Sequence, residues 1–190
     1  MRSLFVSVLF QILFTVPVVF ADAQNHGHHH EQGAHVHGHV NMNMALENDQ
    51  LYIELRSPAV NIVGFEHQPQ TQAQKETVSD AIRVLRKAGQ HFSFPESAQC
   101  VLVSAEIKSE LVPDEHKHDH EIVSHKSHAA KHSDFDLSYA FDCKRPGELD
   151  YIDVLISEAF PGIEHILVQY LMPSGQGAAE LEPGSLRIKF

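Results

Sequence analysis

The chain has 190 residues and a formal net charge of −11, and 43% of its residues are hydrophobic. That hydrophobic content can fill a core and excludes a wholly disordered chain. Only 14 residues are Lys or Arg against 25 Asp or Glu, which excludes a dense basic surface for nucleic acid and disfavours an anionic membrane as a partner. The unusual component is histidine, with 16 residues, about three to four times its ordinary share.

The first 21 residues have the pattern of a secretory signal peptide. Arg2 precedes an almost uninterrupted apolar run over residues 4–14, and small residues end the segment at Ala21. The apolar stretch is at the short end for a membrane span, so a retained anchor is the competing interpretation. We predict an exported protein that loses residues 1–21 and has no membrane contact after cleavage.

Two cysteines, Cys100 and Cys143, are an even number in an oxidising compartment, which favours one disulfide. Two buried free thiols, or one thiol that serves a metal, are the alternatives. Alternation places the apolar side chains Val101 and Val103 on the strand face opposite Cys100. A bulge, or a cysteine outside the regular ladder, would therefore be needed to join the two.

The exported chain begins with a polar tail, residues 22–34, which we predict to be disordered because it cannot bury a face. From His35 onward polar and apolar residues alternate, as in a half-buried strand, with Met42 and Met44 on the apolar side. Asn48-Asp49 marks a turn into a second alternating strand, which ends at Pro58. Further strands are predicted over residues 100–111, 135–144, 149–156, 164–172 and 185–190.

One confident helix is predicted over residues 71–88. Thr71 and Gln74 have the spacing of a capping box, and Gly89 stands where a helix-ending glycine is expected. The fold class is therefore predicted as α+β: a single domain over residues 35–190, with an antiparallel sheet of six or seven strands and one main helix packed on it. A hydrophilic insert, residues 114–134, is predicted to be disordered like the tail.

Histidines cluster in the tail and in the insert, with many neighbours two residues apart. Neutral imidazole suits zinc, copper and nickel, and the interspersed acids are auxiliary ligands. The alternative is a polar low-complexity tract without a partner. The candidate ligands in these two tracts are His26, His28, His29, His30, His116, His118, His120, His125, His128 and His132.

A more rigid metal site is suggested by His35, His37 and His39, which share one face of the predicted strand. His67, preceded by Glu66, follows the hairpin and could return to that face. Three of these imidazoles together with Glu66 would then complete a tetrahedral zinc shell. The competing interpretation of His67 is a solvated loop histidine. His91 and His165 are isolated, and we expect them to be ordinary surface or hydrogen-bonded histidines.

No motif nominates a catalytic nucleophile or general base, so we predict that the protein is not an enzyme. His30 and His35 resemble the ends of a zincin motif but are five residues apart instead of four. A metal-dependent enzyme remains an alternative, and so does a nickel- or copper-binding protein. Met42 and Met44 are copper-type ligands, but their place on the apolar face favours core packing.

Several segments resemble the ZrgA-like family of periplasmic zinc-binding proteins. The more specific ones are the stretch 51–67, with Asn-Ile-Val-Gly-Phe-Glu-His at 61–67, and the stretch 160–179, with Phe-Pro-Gly-Ile-Glu at 160–164 and Pro-Ser-Gly-Gln-Gly-Ala-Ala at 173–179. Weaker support comes from residues 35–47, Cys100 and Phe141-Asp142-Cys143. The resemblance spans nearly all of the exported chain.

This resemblance implies a zinc-responsive periplasmic protein that assists an ABC importer and its substrate-binding protein. It extends zinc binding to His35, His37, His67 and the two histidine tracts, whereas His39 and Glu66 are assigned from spacing alone. We therefore predict a protein that captures zinc in the periplasm and supports zinc import. Many weak imidazole sites would collect the metal and pass it to a tighter site or to the importer.

Overall fold

Two β-sheets frame the fold, which a computed structural model describes for residues 36–112 and 133–190. All of these residues belong to the unit Ala34–Phe190. The predicted signal peptide 1–21, the tail 22–34, His35 and the histidines of the insert lie outside the described residues. Within the described residues, no helix is long and apolar enough to cross a membrane.

The described strands number nine, and three α-helices are interspersed with them. The larger sheet has the order β4-β5-β2-β1-β7-β8, and the smaller has the order β3-β6-β9. The strands are β1 His39–Glu47, β2 Gln50–Pro58, β3 Phe92–Ser93, β4 Cys100–Ser109, β5 Asp134–Cys143, β6 Tyr151–Val154, β7 His165–Met172, β8 Gly175–Leu181 and β9 Arg187–Lys189, and the helices are α1 Ala59–Val63, α2 Gln72–Leu85 and α3 Ile156–Ala159.

The alternating sequence of β1 and β2 forms the predicted hairpin, with Asn48 at φ 57° in its turn. Met42 lies opposite Leu55 and Met44 opposite Ile53, and all four side chains are buried. The prediction that both methionines pack in the core is confirmed. Because side chains alternate along β1 and β2, the polar side chains of these strands lie on the opposite face of the sheet.

Helix α2 begins at the predicted capping box. Thr71 Oγ1 accepts a hydrogen bond from the Gln74 amide at 3.2 Å, and Gln74 Oε1 accepts one from the Thr71 amide at 3.1 Å. The prediction for its end was wrong: the C-cap is Arg86, and Gly89 lies in a following 3₁₀ turn. The Tyr139 hydroxyl donates to the last helical carbonyl, Leu85, at 2.8 Å, which ties α2 to the buried face of the sheet.

The smaller sheet packs on that same buried face through aromatic side chains. Phe92 of β3 contacts Tyr139 and Phe141 of β5 edge-on, with ring centroids 5.4 and 6.1 Å apart. Edge-on aromatic pairs contribute beyond the apolar area that they bury. The core therefore lies between the larger sheet on one side and α2 with the smaller sheet on the other.

Cys100 and Cys143 form a disulfide and lie opposite each other in the β4–β5 ladder. The ladder shifts register between Leu102 and Ser104, which is the bulge that the alternation required. Val101 and Val103, the apolar side chains that alternation placed opposite Cys100, are not buried: they are 56% and 61% exposed. They lie beside this bulge on an edge strand, which has a neighbour on one side only.

The fold class was only partly predicted. The larger sheet is mixed, because β1 and β7 pair in parallel, and one helix is accompanied by two short ones. The strand predicted over 149–156 ends at Val154, and α3 follows it. Strand β8 was missed, since Gly175, Gly177 and two alanines give it no β-branched or aromatic pattern. The chain is thus a large sheet with small helices.

Two predicted boundaries also change. The first strand begins at His39 instead of His35, because Gly38 adopts φ +84° and breaks the extended chain. The predicted insert is shorter at its end, because Ser133 and Asp134 are buried and Asp134 already belongs to β5. His37 therefore lies in a turn before β1 and does not share a strand face with His39.

Candidate metal centre

The parallel pairing of β1 and β7 brings two histidines together at one end of the larger sheet. His39 and His165 are the first residues of these strands and lie opposite each other in the ladder. Their rings stack with centroids 4.7 Å apart and planes 18° from parallel. This end of the sheet, where β1 and β7 begin, is called the histidine end below.

Other candidate ligands reach the histidine end because β2 runs antiparallel to β1. Strand β2 ends there, and α1 leads from it to Phe65, Glu66 and His67. The side chain of Asn61, in α1, accepts a hydrogen bond from the Gly38 amide at 2.8 Å and donates one to the His39 carbonyl at 3.1 Å. Asn61 thereby links the loop before β1 to the helix that precedes Glu66.

The described residues next to the histidine-rich insert lie at the same end. Strand β4 leads toward the insert and β5 begins after it, with Ser109 opposite Phe135. The Gln68 side chain donates to the Glu110 carbonyl, and the Ala59 amide donates to the Ser133 carbonyl at 2.9 Å. The chain before β1, which leads back to the histidine tail, also enters at this end. The described residues from which the chain continues toward the two tracts therefore lie at the same end of the sheet as the candidate ligands.

His37 and Glu66 make a direct contact, with His37 Nε2 3.4 Å from Glu66 Oε1. The His37 side chain is 65% exposed and that of Glu66 is 14% exposed. His67 Nδ1 lies 2.9 Å from the Gln68 carbonyl, which can only accept, so Nδ1 carries the proton. The neutral His67 ring then offers the lone pair of Nε2 to a metal, in the arrangement typical of histidine ligands.

Among the described residues, the closest group of side chains that could bind a metal does not include His37, Glu66 or His67; it consists of His165, Glu180 and Glu182. His165 Nδ1 lies 3.2 Å from Glu180 Oε1 and 3.5 Å from Glu182 Oε1. In residues 36–112 and 133–190 this is the one set of three such side chains whose ligand atoms lie within 4.8 Å of one another. His37, Glu66 and His67 form no set of that kind.

The predicted ligands are therefore partly brought together. His37 contacts Glu66, Glu66 precedes His67, and His39 contacts His165 at the same end of the sheet. The sequence analysis did not identify Glu180 and Glu182 as ligands, although residues two positions apart lie on the same face of a strand. The ten histidines of the tracts, and His35, lie outside the described residues.

His165 and His91 differ from each other, although both were expected to be ordinary. His165 belongs to the trio, whereas His91 is fully buried and its Nε2 donates to the Val84 carbonyl at 3.0 Å. Burial lowers the pKa of His91, while the hydrogen bond to Val84 acts in the opposite direction. A buried, hydrogen-bonded histidine that belongs to no group of metal-type side chains in the described residues is a structural residue.

Comparison with known proteins agrees with this donor chemistry. Residues 34–190 match the family model described as ZrgA family zinc uptake protein. No curated protein matches the chain. The imidazole and carboxylate groups at the histidine end are ligands that zinc prefers. The matched region covers the whole described fold, and the chain belongs to the ZrgA family of zinc uptake proteins.

Proposed function

We propose that this protein captures zinc in the periplasm and supports zinc import through an ABC importer, without acting as an enzyme. Zinc would be held at a structured site formed by His35, His37, His39, Glu66 and His67. The histidine tracts 22–34 and 114–134 would collect it first. The observation that supports the proposal is the topology of the described residues: the chain enters β1, leaves β4 and enters β5 at the end of the sheet where the described candidate ligands lie.

Attachment matters because it makes transfer between sites intramolecular. A zinc ion released by a weak site in a tethered tract is present near the structured site at a high effective concentration. Tract sites must be ordered on binding, so each should be weaker than a site on the folded frame. The affinity difference sets the direction of transfer, from the tracts toward the histidine end.

Export is supported by two independent features. Residues 1–21 have the composition of a signal peptide, and the Cys100–Cys143 disulfide is typical of an oxidising compartment. A periplasmic location would place the captured zinc beside the substrate-binding protein of the importer, which is the partner that we propose. Protons compete with zinc for imidazole, so capture should weaken as the pH falls below about 6.5.

The proposal is tested in cells that lack this protein, grown in zinc-depleted medium. We expect a growth and zinc-accumulation defect that is restored by the wild-type chain and by added zinc, but not by added nickel or copper. His67→Ala should restore growth poorly, whereas Glu54→Gln, an exposed acid on the same sheet, should restore it fully. In cells that also lack the zinc ABC importer, the protein should make no difference.

Three results would contradict the proposal. Rescue by nickel or copper instead of zinc would favour the alternative metals. Full restoration of growth by His67→Ala would show that the structured site is not needed for zinc import. An equal effect of the protein with and without the importer would remove the importer as its partner.

A further inference from the structure

In the trio of His165, Glu180 and Glu182, the two distances from the imidazole to the carboxylates are close to those of a zinc site, and all three ligand atoms lie within 4.8 Å of one another. Zinc holds nitrogen and oxygen ligands at about 2.0–2.2 Å in a tetrahedron, which places neighbouring ligand atoms about 3.3–3.6 Å apart. The distances from His165 Nδ1 to the two carboxylates are 3.2 and 3.5 Å. One imidazole and two carboxylates also bring a charge of −2, which matches a divalent cation.

The sheet holds these ligands in place. Ile166 pairs with Leu181 across β7 and β8, and both side chains are buried. Because side chains alternate, His165, Glu180 and Glu182 all point to the opposite, solvent-facing side. In the described parts of the chain, His165 is the ion-pair partner of both Glu180 and Glu182, so no lysine or arginine neutralises the two acids there.

We propose that His165, Glu180 and Glu182 hold a second zinc ion, separate from the one proposed for the structured site of His35, His37, His39, Glu66 and His67. His165 Nδ1 and one oxygen from each carboxylate supply three ligands, and the fourth position is open to water. The side chains are 32%, 53% and 60% exposed, so an incoming ligand can reach the metal directly. Such an open site exchanges zinc faster than a closed four-ligand site, which suits transfer more than storage.

The competing arrangement is a hydrogen bond and ion pair without metal. In that arrangement Nδ1 carries a proton and donates it to Glu180 at the same 3.2 Å. Zinc binding requires that Nδ1 lose this proton and present its lone pair to the metal. The protonation state of one ring nitrogen therefore distinguishes the two arrangements.

The experiment uses the full exported chain labelled with ¹⁵N-histidine. The His165 ring nitrogens are assigned by comparison with His165→Gln and followed by NMR while zinc is added against a competing chelator. The test variant is Glu180→Gln/Glu182→Gln. The matched control is Glu47→Gln/Glu54→Gln, which removes two exposed acids from neighbouring strands of the same sheet.

We expect zinc to remove the proton from Nδ1 of His165 in the wild type and in the control. The test variant should lose this change and about one equivalent of zinc, while His67→Ala should keep the change and lose a different equivalent. The site is refuted if Nδ1 stays protonated when the wild type is saturated with zinc, a result that needs no variant to fold. It is equally refuted if a folded test variant keeps the full zinc count. If His67→Ala keeps the full zinc count while the wild type still loses the Nδ1 proton, the proposed function is refuted and the site at His165 is not.

Discussion

The His39 ring stacks on the His165 ring at 4.7 Å, and this contact joins the two groups of candidate zinc ligands. His39 follows the loop that carries His37, whereas His165 faces Glu180 and Glu182. The contact follows from the parallel register of β1 and β7, which places these two residues opposite each other. A zinc ion bound at one group would thus have a ligand of the other group nearby, which is what the proposed transfer of metal requires.

The stack predicts different outcomes for two substitutions of His39. His39→Phe keeps an aromatic ring against His165 but removes a ligand, so zinc binding at the proposed structured site should weaken while the His165 ring nitrogens still respond to zinc. His39→Ala removes both the ligand and the ring, so both responses should weaken. The measurement is a chelator competition titration with NMR detection of His165. Equal behaviour of the two variants at His165 would show that the stack does not position that ring.

Asn61 should position the loop that carries His37 and the start of β1 at His39. Asn61→Ala leaves the Gly38 amide without its acceptor inside the protein, and Asn61 is only 5% exposed. We expect a loss of about 1–3 kcal/mol in the free energy of unfolding and roughly 10-fold weaker zinc binding at the structured site. Asn43→Ala, an exposed asparagine on β1, is the matched control. Denaturant unfolding and zinc competition measure the two effects, and unchanged zinc affinity in Asn61→Ala would contradict the positioning role.

His91 should make the metal-free protein less stable at mildly acidic pH. Its pKa is lowered in the folded state by burial, so below about 6.5 the unfolded state binds more protons than the folded state. The free energy of unfolding should therefore fall as the pH decreases from about 6.5 toward the folded-state pKa, by up to about 1.4 kcal/mol per pH unit.

The measurement is denaturant unfolding between about pH 5 and 7.5 with a chelator present, since bound zinc would add its own pH dependence. His91→Gln keeps a side-chain donor for the Val84 carbonyl, and glutamine does not titrate in this range. The free energy of unfolding of this variant should therefore fall less steeply with decreasing pH than that of the wild type, by up to the contribution of His91. Identical slopes for the two proteins would contradict the assignment.

The disulfide should stabilise the fold without contributing to zinc binding. Cys100 and Cys143 lie at the ends of β4 and β5 remote from the histidine end, and 43 residues separate them. Cys100→Ser/Cys143→Ser should cost about 2–4 kcal/mol of unfolding free energy. Its zinc stoichiometry should be unchanged under conditions where it is folded. A missing zinc equivalent in the folded variant would contradict the prediction that the disulfide does not contribute to zinc binding.

The sequence predicted those elements whose local pattern agrees with their place in the fold. Alternation located the hairpin of β1 and β2 with its turn at Asn48. The capping box located the start of α2 at Thr71. The even number of cysteines favoured the disulfide, and a bulge was one of two ways to join them; the structure has a bulge between Leu102 and Ser104. For the hairpin and the start of α2, neighbouring residues carry the signal.

The remaining features depend on contacts between distant parts of the chain. Gly38 ends the alternation before β1, and its positive φ is not visible in the period of the sequence. Pairing of β1 with β7 is decided by packing across more than a hundred residues, so nothing near His165 indicates that it meets His39. Glu180 and Glu182 were missed because the glycines and alanines of β8 give no strand pattern.

The central claim, that histidine tracts deliver zinc to a structured site, is tested most directly by a competitive zinc titration of three exported chains. One is the wild type, one is His67→Ala, and one carries asparagine at each of the six insert histidines, so that the insert keeps its length. The account predicts that the asparagine variant loses several weak equivalents and keeps the tight ones, while His67→Ala loses one tight equivalent and keeps the weak ones. If neither variant differs from the wild type in zinc stoichiometry or affinity, the claim is contradicted.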